Sequence, residues 1–240
     1  MDTDKIKGII FDYGGTIDTN GIHWAEVLWS LYREHGVPVD RDAFRQAYVY
    51  GERTLAVNRI IVPEDDFRNV LLKKLHLQMN FLKDNGFMDV SADTSEWESA
   101  IADGGNSLAE RCAKSAHLMF QKLHLKYKLT LVSNFYGNIK KVLDNFSLLC
   151  DFEHIVESSV VGIRKPDPAI FALGVELMHL KPEETVVVGD SVDKDMIPAR
   201  LAGCRTVWLK GKAWDESVSG EAHADAVITD LNELNEIFNI

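Results

Sequence analysis

The stretch IIFDYGGTIDT, residues 9–19, sets the reading of the whole chain. Ile9, Ile10 and Phe11 form a short apolar run that follows Lys5-Ile6-Lys7-Gly8 and stops at Asp12, just before the glycine pair Gly14-Gly15. An apolar run of strand length that ends in glycines predicts a buried strand, over residues 5–11, feeding a tight loop. A carboxylate at the end of such a strand needs partners, and the rest of the chain indicates where they come from.

Directly downstream the pattern is helical. Trp24, Val27, Leu28 and Leu31 recur at i, i+3, i+4 and i+7, which predicts one helix face ending near the His35-Gly36 stop signal. Asp40 is placed to cap a helix over 41–57. Pro63 with Glu64 and Asp65 opens another, lined by Leu71, Leu72, Leu75 and Met79. Between 20 and about 105 nothing reads as a strand. Residues 84–106, with Asn85-Gly86, Asp93-Thr94-Ser95 and Gly104-Gly105, read as the most broken part and the place of a linker. A long helix is expected after it, with Cys112, Ala116, Met119, Phe120 and Leu123 on one face.

The pattern then changes character. LTLVSN (129–134), HIVES (154–158), TVVVGD (185–190), RTVWL (205–209) and ADAVIT (224–229) are short, rich in β-branched residues and separated by helix-length segments. Strands alternating with helices predict a parallel sheet covered on both faces. The expected organisation is therefore α/β. A Rossmann-like parallel sheet core made from 1–18 and 107–240 is interrupted by an all-helical insert over 19–106.

Composition sets the outer bounds. At 240 residues the chain can bury a sizeable core, and with 46% hydrophobic and 26% charged residues it resembles an ordinary globular protein. No apolar run approaches the roughly 20 residues needed to span a bilayer, and the N-terminal MDTDKIKG carries no leader pattern, so a cytoplasmic location without membrane partners is expected. The net charge of -11 and the lack of any Lys/Arg block beyond short pairs argue against nucleic-acid binding. They do not argue against a small anionic ligand, since a phosphate site is built from local amides and one or two cations. Cys112, Cys150 and Cys204 are odd in number, far apart and form no CxxC, so buried free thiols are expected. The histidines show no HxxxH or HxH spacing, which excludes a transition-metal site of that kind. Gly14-Gly15 does not form GxGxxG, and Asp190, Asp193 and Asp195 lack the glycine and terminal glutamate of a calcium loop.

Open parallel sheets bind ligands beyond the carboxyl ends of their strands. Asp12 follows the first strand, Ser133-Asn134 follow LTLV, and Gly189-Asp190-Ser191 follow TVVV, with Asp195 five residues past Asp190. Lys165 stands in GIRKPDPAIF, before a helix opened by Pro166 and Pro168. A carboxylate, a hydroxyl, an ammonium and a second carboxylate pair at neighbouring strand ends make a site for a phosphoryl group and a hard cation. Asp12 can attack phosphorus, Asp190 can share a Mg²⁺ with it, and the glycine-rich loop lets backbone amides approach the phosphoryl oxygens.

The four motifs, in order and spacing, resemble those of the haloacid dehalogenase superfamily over nearly the whole chain. FDYGGT resembles its nucleophile loop and VSN its Ser/Thr motif. Lys165 is similar to its lysine and GDSVDKD to its acidic metal motif, while the helical insert sits where members with a C1-type cap carry it. The resemblance implies Asp12 as nucleophile and metal ligand, with the Gly14 carbonyl and Asp190 as further ligands to Mg²⁺. It implies Gly15, Thr16, Ser133, Asn134 and Lys165 around the phosphate, with Asp195 supporting the metal and the lysine. A small phosphorylated metabolite is the expected partner, for a monomer or homodimer.

One position departs from the family's phosphatases. They resemble this chain except that a second Asp stands two residues after the nucleophile, where this chain has Gly14. That Asp would protonate the leaving oxygen and then activate water, an acid/base contribution of roughly 10² to 10⁴ in rate. The leading expectation is a Mg²⁺-dependent phosphatase of small phosphomonoesters acting through an aspartyl phosphate. A catalytically weakened phosphometabolite-binding or sensor protein is the alternative, with 2-haloacid dehalogenation behind it, because the chain keeps Gly-Asp-Ser in its fourth motif. A phosphonatase-like lysine is not expected, since Lys73, Lys74 and Lys83 lie far along the chain from the first insert helix. Asp18, His23 and Tyr13 are the nearest candidates for a replacement acid/base, but Asp18 reads better as a loop-forming residue, His23 as a solvated helix-start residue and Tyr13 as a packing residue; Trp24, Trp29 and Tyr32 are candidates to line a substrate pocket, with helix packing the favoured reading. Residues choosing the leaving group are expected between His23 and Arg59.

Overall fold

The computed structural model of the chain describes residues 3–212, 214 and 223–240; Met1 and Asp2 of the N-terminal segment read above lie outside the described residues. Six strands form one parallel sheet: β1 (Gly8–Phe11), β2 (Lys128–Ser133), β3 (His154–Glu157), β4 (Thr185–Gly189), β5 (Arg205–Leu209) and β6 (Ala226–Ile228). Their spatial order is β3-β2-β1-β4-β5-β6, which puts β1 between β2 and β4. Phe11 is level with Leu131 on one side and Val188 on the other. The chain therefore leaves β1, β2 and β4 at nearly the same height, and the order reverses at β1. This is the place in an open α/β sheet where a crevice forms.

β1 is buried on both faces, as its unbroken apolar sequence requires. Ile9 and Phe11 pack with Val186 and Val188 on one face, while Ile10 and Val187 face Ile170, Phe171 and Val175 on the other. Each such side chain, wholly removed from water, contributes on the order of 1.5–3 kcal/mol, enough to pin the strand from which Asp12 projects.

Nine α-helices are found among the described residues. α1 (Trp24–Glu34), α2 (Arg41–Val57), α3 (Phe67–Asp84) and α4 (Ser95–Leu123) follow β1 without an intervening strand; α5 (Ile139–Asn145), α6 (Ser158–Val161), α7 (Ala169–Leu177), α8 (Ile197–Leu201) and α9 (Leu234–Phe238) alternate with the later strands. Asp40 caps α2 through the Ala43 amide at 2.8 Å, as its position predicts. α3 starts later than Pro63 suggests, because Asp66 accepts from the Asn69 amide at 2.8 Å and sets the first turn at Phe67.

The larger difference concerns residues 84–106. Only the stretch between Asp84 and Ser95 is irregular, and Gly104-Gly105 lie inside α4. A Cβ on Gly104 would come within 2.7 Å of Leu31 Cδ2, and one on Gly105 within 3.0 Å of Leu71 Cδ1. The glycine pair lets α1 and α3 close onto α4; it does not break the chain. Further along, Phe120 of the same helix meets Phe11 of the sheet edge-on, with ring centroids 4.9 Å apart. One helix thus reaches from the helical group to the sheet.

The thiols also differ from expectation. All three are free, but only Cys204 is buried; Cys112 is half-buried and Cys150 is exposed, on the turn between α5 and β3. Among the described residues no helix is long and apolar enough to cross a membrane.

Candidate active site

Lys165 is the centre of the site. Its Nζ lies 2.6 Å from Asp12 Oδ1 and 2.7 Å from Asp195 Oδ1, and its side chain is 2% exposed. Burial works to lower the Lys165 pKa, but Asp12 and Asp195 together outweigh it and hold the ammonium above its usual value. The lysine is steered there by Asn134, whose side-chain amide donates to the Lys165 carbonyl at 3.1 Å and accepts from its amide at 3.0 Å. Both ends of the Asn134 side chain, expected at a phosphate, are therefore spent on the backbone that presents Lys165. Lys165-Pro166 is a cis peptide.

Asp12, Asp190 and Asp195 each present one carboxylate oxygen within 4.8 Å of the others. Asp195 is fixed on a single π-helical turn, Val192–Met196, and also accepts from the Ser191 amide at 3.1 Å. Asp190 accepts from the Thr16 hydroxyl at 3.2 Å, so Thr16, wholly buried, orients a carboxylate. Gly15 has φ +91°, and a Cβ there would stand 2.7 Å from Asp190 Cγ, which explains the glycine. Gly14 differs: a Cβ would meet nothing within 4 Å.

The charges do not balance. Burial pushes Asp12 up to about 6, with Lys165 opposing and Asp195 adding to the rise. Burial, then the charges of Asp12 and Asp195, push Asp190 well above the usual carboxylate range. Two buried carboxylates and a half-buried one around one ammonium are a cluster short of positive charge, and oxygen donors at this spacing suit a hard divalent cation such as Mg²⁺. Asp12 and Asp190 would hold it, and Gly14, whose carbonyl the family resemblance implies as a further ligand, lines the same cavity.

The cluster opens into a cavity of about 390 Å³. Ser133 and Gly14 line its floor with Asp12 and Lys165, and the Ser133 hydroxyl makes no hydrogen bond among the described residues, so it is free for a ligand. Asp18 accepts from the Gly15 amide at 2.7 Å and from Trp24 Nε1 at 2.8 Å, which is the loop-forming role expected of it. Burial nevertheless pushes it up to about 7, against those two donors. His23 caps α1, its Nδ1 accepting from the Ala25 amide at 3.2 Å, and it lines the cavity; burial, then the Lys194 charge, lower its pKa. Tyr13 is wholly buried between Phe67 and Phe135 and does not face the cavity. Of the three aromatic residues of α1, Trp24 lines the cavity, whereas Tyr32 donates to Gln78 at 2.9 Å and Trp29 packs on Phe44.

The roof contains residues beyond the interval His23 to Arg59. Tyr48, Glu52 and Arg53 come from α2, but Phe67, Val70 and Lys74 come from α3, Tyr136 from the loop after β2 and Arg164 from the loop between α6 and α7. Lys74 Nζ lies 2.6 Å from Glu52 Oε1, and the Tyr136 hydroxyl donates to Glu52 Oε2 at 3.3 Å. Burial works to lower the Lys74 pKa, yet Glu52, Tyr136 and Tyr48 hold it raised. The sequence carried a signal for this lysine: Lys74 shares the buried face of α3 with Leu71, Leu75 and Met79. A charged residue inside an apolar stripe is buried for a reason.

Comparison with known proteins fits this geometry. The chain is 38% identical over 96 residues to a glyceraldehyde 3-phosphate phosphatase of Pyrococcus furiosus, covering 40% of this chain and 38% of that one. It is 40% identical over 83 residues to a phosphoserine phosphatase of Thermus thermophilus, covering 35% of this chain and 32% of that one. The chain thus spans well under half the length of these two relatives. YfnB from Bacillus subtilis, whose crystal structure holds magnesium, shares the fold with a TM-score of 0.61 at 22% identity, covering 98% of this chain and 99% of that one. The sequence model of the haloacid dehalogenase-like hydrolases matches residues 6–203. That match takes in all four strand-end motifs, and the chain belongs to the haloacid dehalogenase-like hydrolase family.

Proposed function

We propose that the protein is a Mg²⁺-dependent phosphatase of small phosphomonoesters, with residues 19–106 acting as a cap over the site. The observation that carries the reading is the buried Lys165 held between Asp12 and Asp195 under a cavity that also receives the Ser133 hydroxyl. Two relatives that cover part of the chain are phosphatases, which supports the same class.

In this reading an Asp12 carboxylate oxygen attacks phosphorus, the bond from phosphorus to the leaving oxygen breaks, and its electron pair stays on that oxygen, which then takes a proton from water. Water next attacks the aspartyl phosphate and gives up a proton to solvent, the bond from phosphorus to the Asp12 oxygen breaks, and the carboxylate returns with inorganic phosphate released. Lys165 keeps one Asp12 oxygen fixed and, with Ser133, neutralises and orients the phosphoryl oxygens. Asp195 keeps Lys165 in place and charged. A Mg²⁺ held by Asp12, the Gly14 carbonyl and Asp190 would supply the charge compensation that lets an anion approach an anion. The cap excludes water around the leaving group.

The test is phosphate release from p-nitrophenyl phosphate and a panel of sugar and nucleotide monophosphates, with and without Mg²⁺, by wild type and Asp12→Asn. Metal-dependent multiple turnover that vanishes in Asp12→Asn is the expected result. A second reading, a phosphometabolite-binding sensor, rests on Gly14 and the acid/base it lacks. It predicts Mg²⁺-dependent ester binding without turnover, and ordinary enzyme rates would remove it. Chloride release from short 2-halo acids without metal would instead point to dehalogenation.

A further inference from the structure

The acids around the cavity are all engaged, whereas some of its cations are not. Asp12 and Asp195 hold Lys165, Asp190 accepts from Thr16, Asp18 is held by Gly15 and Trp24, and Glu52 is paired with Lys74. Arg53, Arg164 and Lys194 line the same cavity, their side chains exposed and without an ion pair or hydrogen bond among the described residues. They come from three separate places: α2, the loop before Lys165, and the turn after β4. Lys194 shares the cavity lining with His23. In a chain of net charge -11, three unmatched cations converging on one opening are not explained by composition. Nor does the transferred phosphoryl group account for them, since Lys165, Ser133 and the metal ligands lie on the floor.

Resting on the phosphomonoester reading, we infer that the leaving group carries a second anionic group, a carboxylate or a second phosphate, bound at the rim by Arg53, Arg164 and Lys194. The cavity, about 390 Å³, falls within the roughly 300–1,000 Å³ typical of small-molecule sites and leaves room for such a substituent above the phosphoryl group. Guanidinium groups suit it, because their forked donors match carboxylate and phosphate oxygens.

The experiment uses three compounds of similar size: glycerol 3-phosphate, 3-phosphoglycerate and 2,3-bisphosphoglycerate. Wild type, with Mg²⁺ present, is expected to favour one of the doubly anionic esters over glycerol 3-phosphate by about ten-fold or more in kcat/KM, carried in KM, as two or three charge-assisted contacts allow. The favoured compound tells carboxylate from phosphate. Arg53→Ala, Arg164→Ala and Lys194→Ala should each shrink that ratio, Arg164→Glu should abolish it, and high salt should lower it in wild type. A wild-type ratio near one, or a ratio that survives all four substitutions, overturns the inference. If no compound turns over, the phosphatase reading fails separately, and calorimetric binding of the same compounds with Mg²⁺ decides the rim. Tighter binding of a doubly anionic ester, weakened by the rim substitutions, upholds the inference; equal binding, or none, overturns it.

Discussion

Replacing Lys165 by Met removes the cation on which the floor of the site is built, and the consequence can be sized from the structure. The side chain is 2% exposed and its two partners are 11% and 0% exposed, so the carboxylates left behind stay largely shielded from bulk water. Breaking a buried pair by deleting one partner costs roughly 3–5 kcal/mol, because the other charge stays behind uncompensated. For a chain of this size each kcal/mol moves Tm by roughly 2–4 °C, which places the expected drop at about 6–20 °C. The drop has a pH signature in metal-free protein. Asp12 sits at about 6 in the fold, above the usual carboxylate value, even with Lys165 opposing the rise. A carboxyl whose folded pKa is raised favours the native state most when protonated, and the penalty grows as pH climbs through that folded pKa. Losing Lys165 raises it further, so the gap between wild type and variant should be wider at pH 8 than at pH 5. Differential scanning calorimetry in EDTA reads both quantities. A variant whose Tm stays within about 2 °C of wild type at pH 8 would refute the claim that this lysine compensates the carboxylates, since even the smallest buried-pair loss exceeds that shift.

Other consequences are cheaper to check. Mg²⁺ should raise Tm, since a ligand at about 100 times its Kd stabilises by roughly 2.7 kcal/mol, and Asp190→Asn should lose most of that rise; an unchanged response in Asp190→Asn would remove Asp190 from the metal site. Gly14→Asp should fold normally and raise steady-state turnover of an alkyl phosphate by roughly 10² to 10⁴, the usual worth of a positioned acid/base. Rates within about two-fold of wild type would mean that proton transfer is handled elsewhere. In native protein at pH 8 a chromogenic disulfide reagent should titrate Cys150 quickly and the other two thiols slowly, because burial pushes Cys112 up to about 11 and Cys204 up to about 12. Three fast thiols would contradict that packing.

What the sequence disclosed and what it withheld divide along the range of the interactions. Strands such as Thr185–Gly189 and the bounds of α2 were legible because they depend on local facts, a β-branched run and a capping Asp40. Asp12, Ser133 and Asp190 were legible as a group because a parallel sheet of this order sends adjacent strand ends to one place. Gly104-Gly105 misled because two glycines suit a turn and a close helix crossing equally, and only Leu31 and Leu71 decide between them. Cys150 misled for a similar reason, since a cysteine's burial is set by its neighbours in space. The roof was the least legible part. Lys74, Tyr136 and Arg164 reach one cavity from a helix and two distant loops, and no spacing along the chain encodes that meeting.

The two neighbouring glycines of the first loop show how structure separates a residue the fold demands from one the chemistry permits. Gly15 is demanded: its φ of +91° and the Asp190 carboxylate leave no place for a side chain. Gly14 is not, because its backbone lies outside the left-handed region and a Cβ would point into open cavity. An aspartate could stand there without strain, next to Asp12 and facing the ligand. Its absence is therefore not imposed by the packing around the loop. The first half of the proposed reaction needs a nucleophile, a fixed ammonium and a cation, all of which Asp12, Lys165 and Asp190 can provide without it. The second half needs a group to take a proton from water, and no carboxylate at position 14 supplies one. In the proposed reaction, phosphoryl transfer to Asp12 keeps all its groups while hydrolysis lacks one, so Gly14→Asp is expected to shorten the lifetime of an aspartyl phosphate trapped by rapid quench, and an unchanged lifetime would refute that assignment.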